Sequence, residues 1–231
     1  MNPFFLLRII HFIFCISFTK EKLRNLINFS SEIYLLIYGN ETQILLNDSF
    51  YPQLSEVFVN RINKESNNIS YELEYEINNV SLIFNETLNS TENMFYGLDN
   101  IKEIDLSLFD FSYVTTMENM FRSCINLEKI YFGNINTSSV TNMKCLFYNC
   151  SKLISIDVSN FDTSSVTTMG KMFYNLTSLS TINLSNFNTS NVESFSAFLY
   201  NCSKLQYIDI SNFDTSKITN MEGMFYNNSN L

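Results

Sequence analysis

The feature that most constrains the fold is an internal repeat of 26 residues that keeps its register through the second half of the 231-residue chain. One column of the repeat holds Met117, Met143, Met169, Phe195 and Met221, and another holds Phe121, Phe147, Phe173, Leu199 and Phe225. A unit of this size cannot bury its own apolar face, whereas units stacked in register share a continuous core. Residues 93–231 are therefore expected to form a stack of about five and a half units.

Within each unit the apolar period changes, which predicts two kinds of element. Leu153, Ile156 and Val158 are spaced as in a short strand, with Ile156 and Val158 facing inward. The spacing of Met169, Met172 and Phe173 is typical of one face of a short helix. Threonines two residues before the first Met of the motif are candidate N-caps, and Glu118 and Glu222 would complete capping boxes. These threonines are Thr115, Thr141, Thr167 and Thr219.

The repeat motif is Leu-x-x-Ile-x-Val followed by Ser-Asn-Phe-Asp-Thr-Ser-x-Val-Thr-x-Met-x-x-Met-Phe, as in Leu153 to Phe173. It resembles the leucine-rich-repeat superfamily, and more narrowly its BspA-like, mycoplasma-type surface-protein branch. The resemblance implies secreted or surface-displayed proteins with binding or adhesion roles, and no catalytic residues. The predicted fold class is α/β: a leucine-rich-repeat solenoid of 26-residue strand–turn–short-helix units with an N-terminal β cap domain. Strands would line the concave side, because helices take more room.

The region before the repeat is predicted to form β-strands. Strands are expected at Ile33 to Tyr38, Gln43 to Leu46 and Val57 to Val59. A further strand, in which apolar and acidic residues alternate, is expected at Tyr71 to Ile77, followed by a two-residue turn at Asn78-Asn79. This acidic β unit is well placed to cover one apolar end of the stack.

Three regions follow from these patterns: 1–19 as a signal peptide or anchor, 20–92 as the β-rich cap, and 93–231 as the solenoid, open or truncated at its end. Residues 4–18 are apolar and suit a signal segment better than a membrane span of about 20 residues. An uncleaved anchor or an ordinary buried segment are the alternatives. Membrane contact is expected only through this segment, if it is retained.

Composition argues against an enzyme and against nucleic-acid binding. The only histidine, His11, lies in the apolar amino-terminal segment, so the repeat has no imidazole for acid–base chemistry. The net charge of -9 without a basic patch would repel phosphates. No catalytic residue, cofactor or metal site is predicted, and the oligomeric state stays open.

Four columns of the repeat have two interpretations each. Cys124, Cys150 and Cys202 share a column with Leu176 and are expected to be buried as small apolar side chains rather than redox groups. Cys145 lies in another column. It is expected either to be exposed and reactive or to have arisen there by neutral drift. Two further columns mix Asp and Asn, which favours turn-forming side chains over a calcium site. They are Asp105, Tyr131, Asp157, Asn183 and Asp209, and Asp110, Asn136, Asp162, Asn188 and Asp214.

The candidate recognition surface is the outward strand column together with its flanking column, because the outward column is diverse where core columns are uniform. An ordinary solvated face is the alternative. The candidate ligand-binding residues are Glu103, Asp105, Lys129, Tyr131, Ser155, Asp157, Thr181, Asn183, Tyr207 and Asp209. The expected function is a secreted or cell-surface, non-enzymatic module that binds a protein or glycan through this concave strand face. The alternative is a coat or matrix protein that self-associates.

Asn-x-Ser/Thr sequons are numerous and give weak support to secretion, since chance and the repeat both multiply them. The glycosylation candidates are Asn28, Asn40, Asn47, Asn68, Asn79, Asn85, Asn89, Asn136, Asn149, Asn175, Asn183, Asn188, Asn201 and Asn227.

Overall fold

The computed structural model describes residues 31–39, 41–50, 54–64 and 70–231, and within these ranges the chain is all-β with no helix. The strands are β1 Ser31–Tyr38, β2 Thr42–Ile44, β3 Glu56–Val59, β4 Ile62–Lys64, β5 Ser70–Glu72, β6 Ile77–Phe84, β7 Ile101–Leu108 and β8 Lys129–Tyr131. The predicted signal or anchor segment at 1–19 lies outside the described residues. No helix in the described part of the chain is long and apolar enough to span a membrane.

One six-stranded sheet joins the region before the repeat to the first repeat units, in the order β4-β3-β6-β1-β7-β8. Strand β1 lies antiparallel to both β6 and β7, and β7 lies parallel to β8. Leu35 of β1 is opposite Val80 and Ile104, and all three are buried in the same core that runs through the repeat units. The β region and the stack thus share one sheet and one core. A second, two-stranded sheet pairs β2 with β5.

Of the four strand predictions before the repeat, two are confirmed, the one at Gln43 to Leu46 is confirmed only in part because β2 spans Thr42–Ile44, and one is wrong. Strands β1 and β3 match the predicted ranges, but the expected strand at Tyr71 to Ile77 ends at Glu72 and the next begins at Ile77. Asn78 and Asn79 do not form a turn, because both are paired with β1 inside β6. The buried Asn78 side chain instead donates from Nδ2 to the carbonyls of Gly39 and Tyr75, and so holds the bend before β6.

The predicted α/β leucine-rich-repeat solenoid is wrong, since the Met-x-x-Met-Phe segments form consecutive turns and no short helices. The N–H of Met120 donates to the Met117 carbonyl, and Asn119 between them has a φ of 56°. The N–H of Cys124 donates to the Phe121 carbonyl, and Ser123 has a φ of 61°. An α-helix needs negative φ at every residue, so these two positions interrupt it.

Backbone hydrogen bonds between neighbouring units replace the helical ones. The N–H groups of Asn119, Phe121 and Ser123 donate to the carbonyls of Lys144, Leu146 and Tyr148, at 3.1, 3.0 and 2.7 Å. The same pattern recurs from each unit to the next. In a helix these N–H groups would donate to carbonyls four residues earlier, so the two arrangements exclude each other. We call this part of each unit the turn ladder (residues 117–124 and their equivalents).

The predicted helix caps are also wrong, and for the same reason. The N–H and Oγ1 of Thr141 both donate to the Thr115 carbonyl of the preceding unit, at 2.9 and 3.2 Å. Glu118 does not fold back onto Thr115. Its carboxylate accepts from Asn142 Nδ2 and pairs with Lys144 Nζ at 3.3 Å. The threonine column therefore joins units rather than starting helices.

The strand segments of the repeat keep the predicted side-chain alternation but pair only in part. Ile156 and Val158 are buried, and Ser155 and Asp157 are exposed, as predicted. Beyond β7 and β8, no backbone hydrogen bond joins the strand segments of neighbouring units in the described chain. Parallel bridges instead run along a different column: Ser90, Thr116, Asn142, Thr168, Ser194 and Asn220.

The core is the expected set of repeat columns. Phe95, Phe121, Phe147 and Phe173 are fully buried, and their rings stack at 5.8, 5.5 and 5.7 Å from one unit to the next. The leucine column is equally buried from Leu127 to Leu205. Burial of these columns confirms the prediction of a stack in register, and explains why these positions stay apolar from unit to unit.

Candidate functional site

Both acidic or amide columns form turns, as the exchange of Asp and Asn predicted. Asp157 Oδ1 accepts from the N–H and the hydroxyl of Ser159, at 3.0 and 2.6 Å. Asp162 accepts in the same way from Ser164, at 2.9 and 2.6 Å. These hydrogen bonds stabilise the charged form and lower the pKa of each carboxyl group. The described residues bring no three His, Cys, Asp or Glu side chains into an arrangement that could hold a metal ion.

The threonine of the Phe-Asp-Thr-Ser motif joins consecutive units through its buried hydroxyl. Thr163 Oγ1 donates to the Asn188 carbonyl at 2.9 Å and accepts from the Asn188 N–H at 2.8 Å. Thr137 and Thr189 make the same pair of bonds to Asp162 and Asp214. The motif is thus structural: phenylalanine fills the core, aspartate forms the turn and threonine ties that turn to the next unit.

The cysteine column is buried, as predicted. The thiols of Cys124, Cys150 and Cys202 each donate to a phenylalanine carbonyl of a neighbouring unit, and burial raises their pKa, for Cys202 to about 11. Cys145 is also buried, at 3% exposure, so the prediction that it is exposed and reactive is wrong. Burial raises its pKa as well, and a protonated thiol is a poor nucleophile.

The candidate ligand-binding residues, which belong to two neighbouring columns, run side by side across the units. The members at the two ends of this row differ in exposure. Glu103 and Asp105 are buried at the β7 end, where Lys129 Nζ pairs with Glu103 Oε1 at 2.8 Å. Tyr131 is half-buried. The remaining members are exposed: Ser155, Asp157, Thr181, Asn183, Tyr207 and Asp209. We call the line from Lys129 and Tyr131 through these six residues the strand-side row.

Beyond Lys129, which pairs with Glu103 of the preceding unit, the outward members of the strand-side row are not used to hold the units together. In the described structure Ser155, Thr181 and Tyr207 make no side-chain hydrogen bond, and Tyr207 is 71% exposed. The flanking Asp and Asn members are engaged in turns. The reason for expecting this face to be concave no longer holds, because it depended on helices on the opposite side.

The face of the strand-side row continues onto the N-terminal sheet. Cross-strand pairing places Leu36 opposite Glu103, and Tyr34 opposite Asp105. Paired residues share a face of a sheet, so Tyr34 and Leu36 lie on the same face as the row, where Leu36, like Glu103, is buried. The sequence alone could not show this continuity, because it depends on the register between β1 and β7.

A surface column that the sequence interpretation missed is a stack of tyrosine rings beside the turn ladder. Ring centroids of Tyr148, Tyr174, Tyr200 and Tyr226 follow one another at 4.4, 4.6 and 4.8 Å. Arg122 occupies the same column between Tyr96 and Tyr148. We call this column the tyrosine ladder. The 26-residue spacing of these tyrosines was the signal that could have revealed it.

The sequons fall into groups by the hydrogen bonds of their side-chain amides. Asn28, Asn40 and Asn68 lie outside the described residues. In the turn ladder, the amides of Asn149, Asn175, Asn201 and Asn227 bond to one another from unit to unit. Asn47 donates to the Tyr96 carbonyl, and Asn79 lies within β6. The exposed candidates whose Nδ2 has no partner in the described structure are Asn85, Asn89, Asn136, Asn183 and Asn188.

A family model described as "Mycoplasma protein of unknown function, DUF285" matches the chain at residues 53–178, 89–207 and 154–231. These overlapping matches cover every repeat unit and part of the sheet before them. No curated protein and no solved structure gave a match in the two other comparisons.

Proposed function

We propose that this chain, which belongs to the family of mycoplasma proteins of unknown function DUF285, is a non-enzymatic repeat module that is secreted or displayed at the cell surface. It binds a protein or glycan partner through the strand-side row. The fold supplies a rigid stack, and the row supplies side chains that change from unit to unit.

The observation that carries the proposal is the contrast between the outward positions of the row and the other polar columns. The columns of Asp162, Thr163, Thr167, Asn175 and Tyr174 hold turns or join units, and their residue types recur accordingly. Beyond Lys129, which pairs with Glu103, the outward row changes chemically from Ser155 through Thr181 to Tyr207. Exposed polar and aromatic side chains without a structural role are typical of a recognition surface.

A non-enzymatic role is supported by what the reactive groups of the repeat do. The thiols of Cys124, Cys150 and Cys202 are buried, protonated and hydrogen-bonded to carbonyls, and the carboxylates of Asp157 and Asp162 are engaged in turns. Surface display is supported by the apolar segment at 4–18 and by the exposed sequons. It accords with the mycoplasma-type surface-protein resemblance.

The test compares binding of the fluorescently labelled full chain to cultured epithelial cells before and after alanine substitution of Ser155, Thr181 and Tyr207 together. Saturable binding by the wild type and a drop in affinity of at least tenfold in the triple variant are expected. The fold should be unaffected, because all three side chains are exposed and make no hydrogen bond in the described structure.

The matched control replaces Tyr113, Ser185 and Thr215, three exposed residues of the same types outside the outward positions of the row. This variant should bind as the wild type does. Equal losses in the two variants, or no loss in the first, would contradict recognition by the row. Light scattering over a range of concentrations tests the coat alternative, and growth of the particles with concentration would favour that alternative.

A further inference from the structure

Arg122 is the one cationic member of the tyrosine ladder within the described units. Its Cζ lies 4.8 Å from the ring centroid of Tyr148 and 5.4 Å from that of Tyr96. The guanidinium thus stands where neighbouring units place a tyrosine ring. Cation–π attraction to an aromatic ring on each side holds the guanidinium in place.

Stacking occupies the two faces of the guanidinium and leaves its N–H edge for hydrogen bonds. The protein satisfies few of these N–H groups: Nη1 donates to Asn119 Oδ1 at a long 3.3 Å, and Nε is buried without a hydrogen-bond partner. A guanidinium carries five N–H donors in a planar fork that matches two oxygens of an oxyanion. The guanidinium of Arg122 is therefore held in place, but not all of its N–H donors have a hydrogen-bond acceptor.

Further positive charge surrounds this position. Asn119, Cys145 and Lys171 occupy one column of the turn ladder in three successive units, and Arg122 and Lys171 both lie close enough to the Cys145 side chain to act on its thiol. Lys144 is also near, but it is paired with Glu118 at 3.3 Å. Arg122, Lys144 and Lys171 all favour the thiolate of Cys145, although burial outweighs them and raises its pKa. Such a concentration of cations stands out in a chain with a net charge of -9.

We propose that Arg122 and Lys171 form a binding site for a tetrahedral oxyanion, the sulfate or phosphate ester group of a ligand. Arg122 supplies the oriented pair of N–H donors, and Lys171 supplies a second charge from the unit after next. The site uses the turn ladder and the tyrosine ladder, so it does not depend on recognition by the strand-side row.

The test is an NMR titration of the full chain with inorganic sulfate and inorganic phosphate, with sodium chloride at matched ionic strength as the reference. The chain has few arginines, so the Nε–Hε signal of Arg122 can be assigned by substitution. We expect this signal to shift with sulfate or phosphate, with a dissociation constant in the millimolar range, and not with chloride. An Arg122 signal that responds equally to chloride, or to none of the salts, overturns the proposal.

Two variants separate loss of the site from loss of the fold. Arg122→Tyr continues the tyrosine ladder, and Lys171→Asn introduces the residue that Asn119 already places in that column. Both should keep the melting temperature near that of the wild type. Arg122→Tyr should abolish the anion-dependent shifts at Asn119 and Cys145, and Lys171→Asn should weaken binding severalfold. The control, Lys204→Asn, removes an exposed lysine elsewhere and should change neither. Wild-type binding by Arg122→Tyr would overturn the proposal.

Discussion

The buried threonine of the repeat motif explains why a polar residue recurs among core positions. Thr163 is 1% exposed, and its hydroxyl satisfies both the N–H and the carbonyl of Asn188. Thr163→Val keeps the shape but leaves both backbone groups without a partner. We expect it to lower the free energy of unfolding by about 2–4 kcal/mol, measured by urea denaturation.

Two controls define the cause of that loss. Thr163→Ser keeps the hydroxyl and should cost clearly less than valine. Thr167→Val removes a hydroxyl that is exposed and bonds to the Thr141 carbonyl at 3.2 Å, and water can replace that bond. It should cost less than about 1 kcal/mol. Equal costs for Thr163→Val and Thr167→Val would contradict the role given to the buried hydroxyl.

The aspartates that form turns make the stability of the fold depend on pH in the acidic range. Hydrogen bonds from Ser159, Ser164, Ser211 and Ser216 lower the pKa of the aspartates two residues before them. A lowered folded-state pKa contributes stability above the unfolded value of about 3.9, and this is lost as the pH falls through the folded value. Urea denaturation should therefore show lower stability below about pH 4.

A variant that keeps the turns without the titration tests this explanation. Asparagine already forms the same turn at Asn183 and Asn188. Replacing the four residues Asp157, Asp162, Asp209 and Asp214 by asparagine should reduce the loss of stability between about pH 4 and pH 2. An unchanged acid dependence would show that other carboxyl groups cause it.

The turn ladder is the element that depends most on backbone conformation. Asn175 has a φ of 59°, and Asn149 and Asn201 have φ values of 60° and 56° in the same column. Asparagine and glycine tolerate this region, whereas a β-branched residue does not. Asn175→Val should therefore cost about 1–2 kcal/mol more than Asn175→Gly, since both lose the amide bonds and only valine is strained. Thermal unfolding of the two variants measures this, and equal stability would argue for a helical φ at Asn175.

Side-chain spacing alone could not distinguish the turn ladder from a helix. Met169, Met172 and Phe173 are all buried, as the helical interpretation required, because two successive turns bring the same positions inward. The difference lies in hydrogen bonds between units, which no local pattern shows. One signal was present: the column of Gly97, Ser123 and Asn149 is restricted to small or amide residues, which indicates positive φ.

For the candidate site, the sequence predicted the exposure and turn roles of individual side chains better than their contacts with other strands and units. The exposure of Ser155, Thr181 and Tyr207 followed from alternation along the strand segments, and the turn role of Asp162 followed from its exchange with asparagine. The burial of Glu103 did not, because it results from the antiparallel pairing of β7 with β1. The location of Arg122 between two tyrosines required the stacking of units in register.

The whole molecule is expected to unfold as one unit, because β1 pairs with β7 and the core runs from the sheet into the repeat. Far-UV circular dichroism and tyrosine fluorescence should report the same urea midpoint. Phe147→Ala, in the middle of the phenylalanine stack, should lower stability by about 3–5 kcal/mol and shift both signals together. Separate midpoints for the two signals would indicate that the sheet and the stack unfold independently.

The central structural claim is that the Met-x-x-Met-Phe segments are joined from unit to unit rather than coiled into helices. Scalar couplings across hydrogen bonds, measured by NMR on the isotope-labelled chain, test it most directly. The structure predicts couplings from the amide nitrogens of Phe147 and Asn149 to the carbonyl carbons of Met172 and Tyr174. Couplings to Met143 and Cys145, four residues earlier, would show a helix and contradict the account.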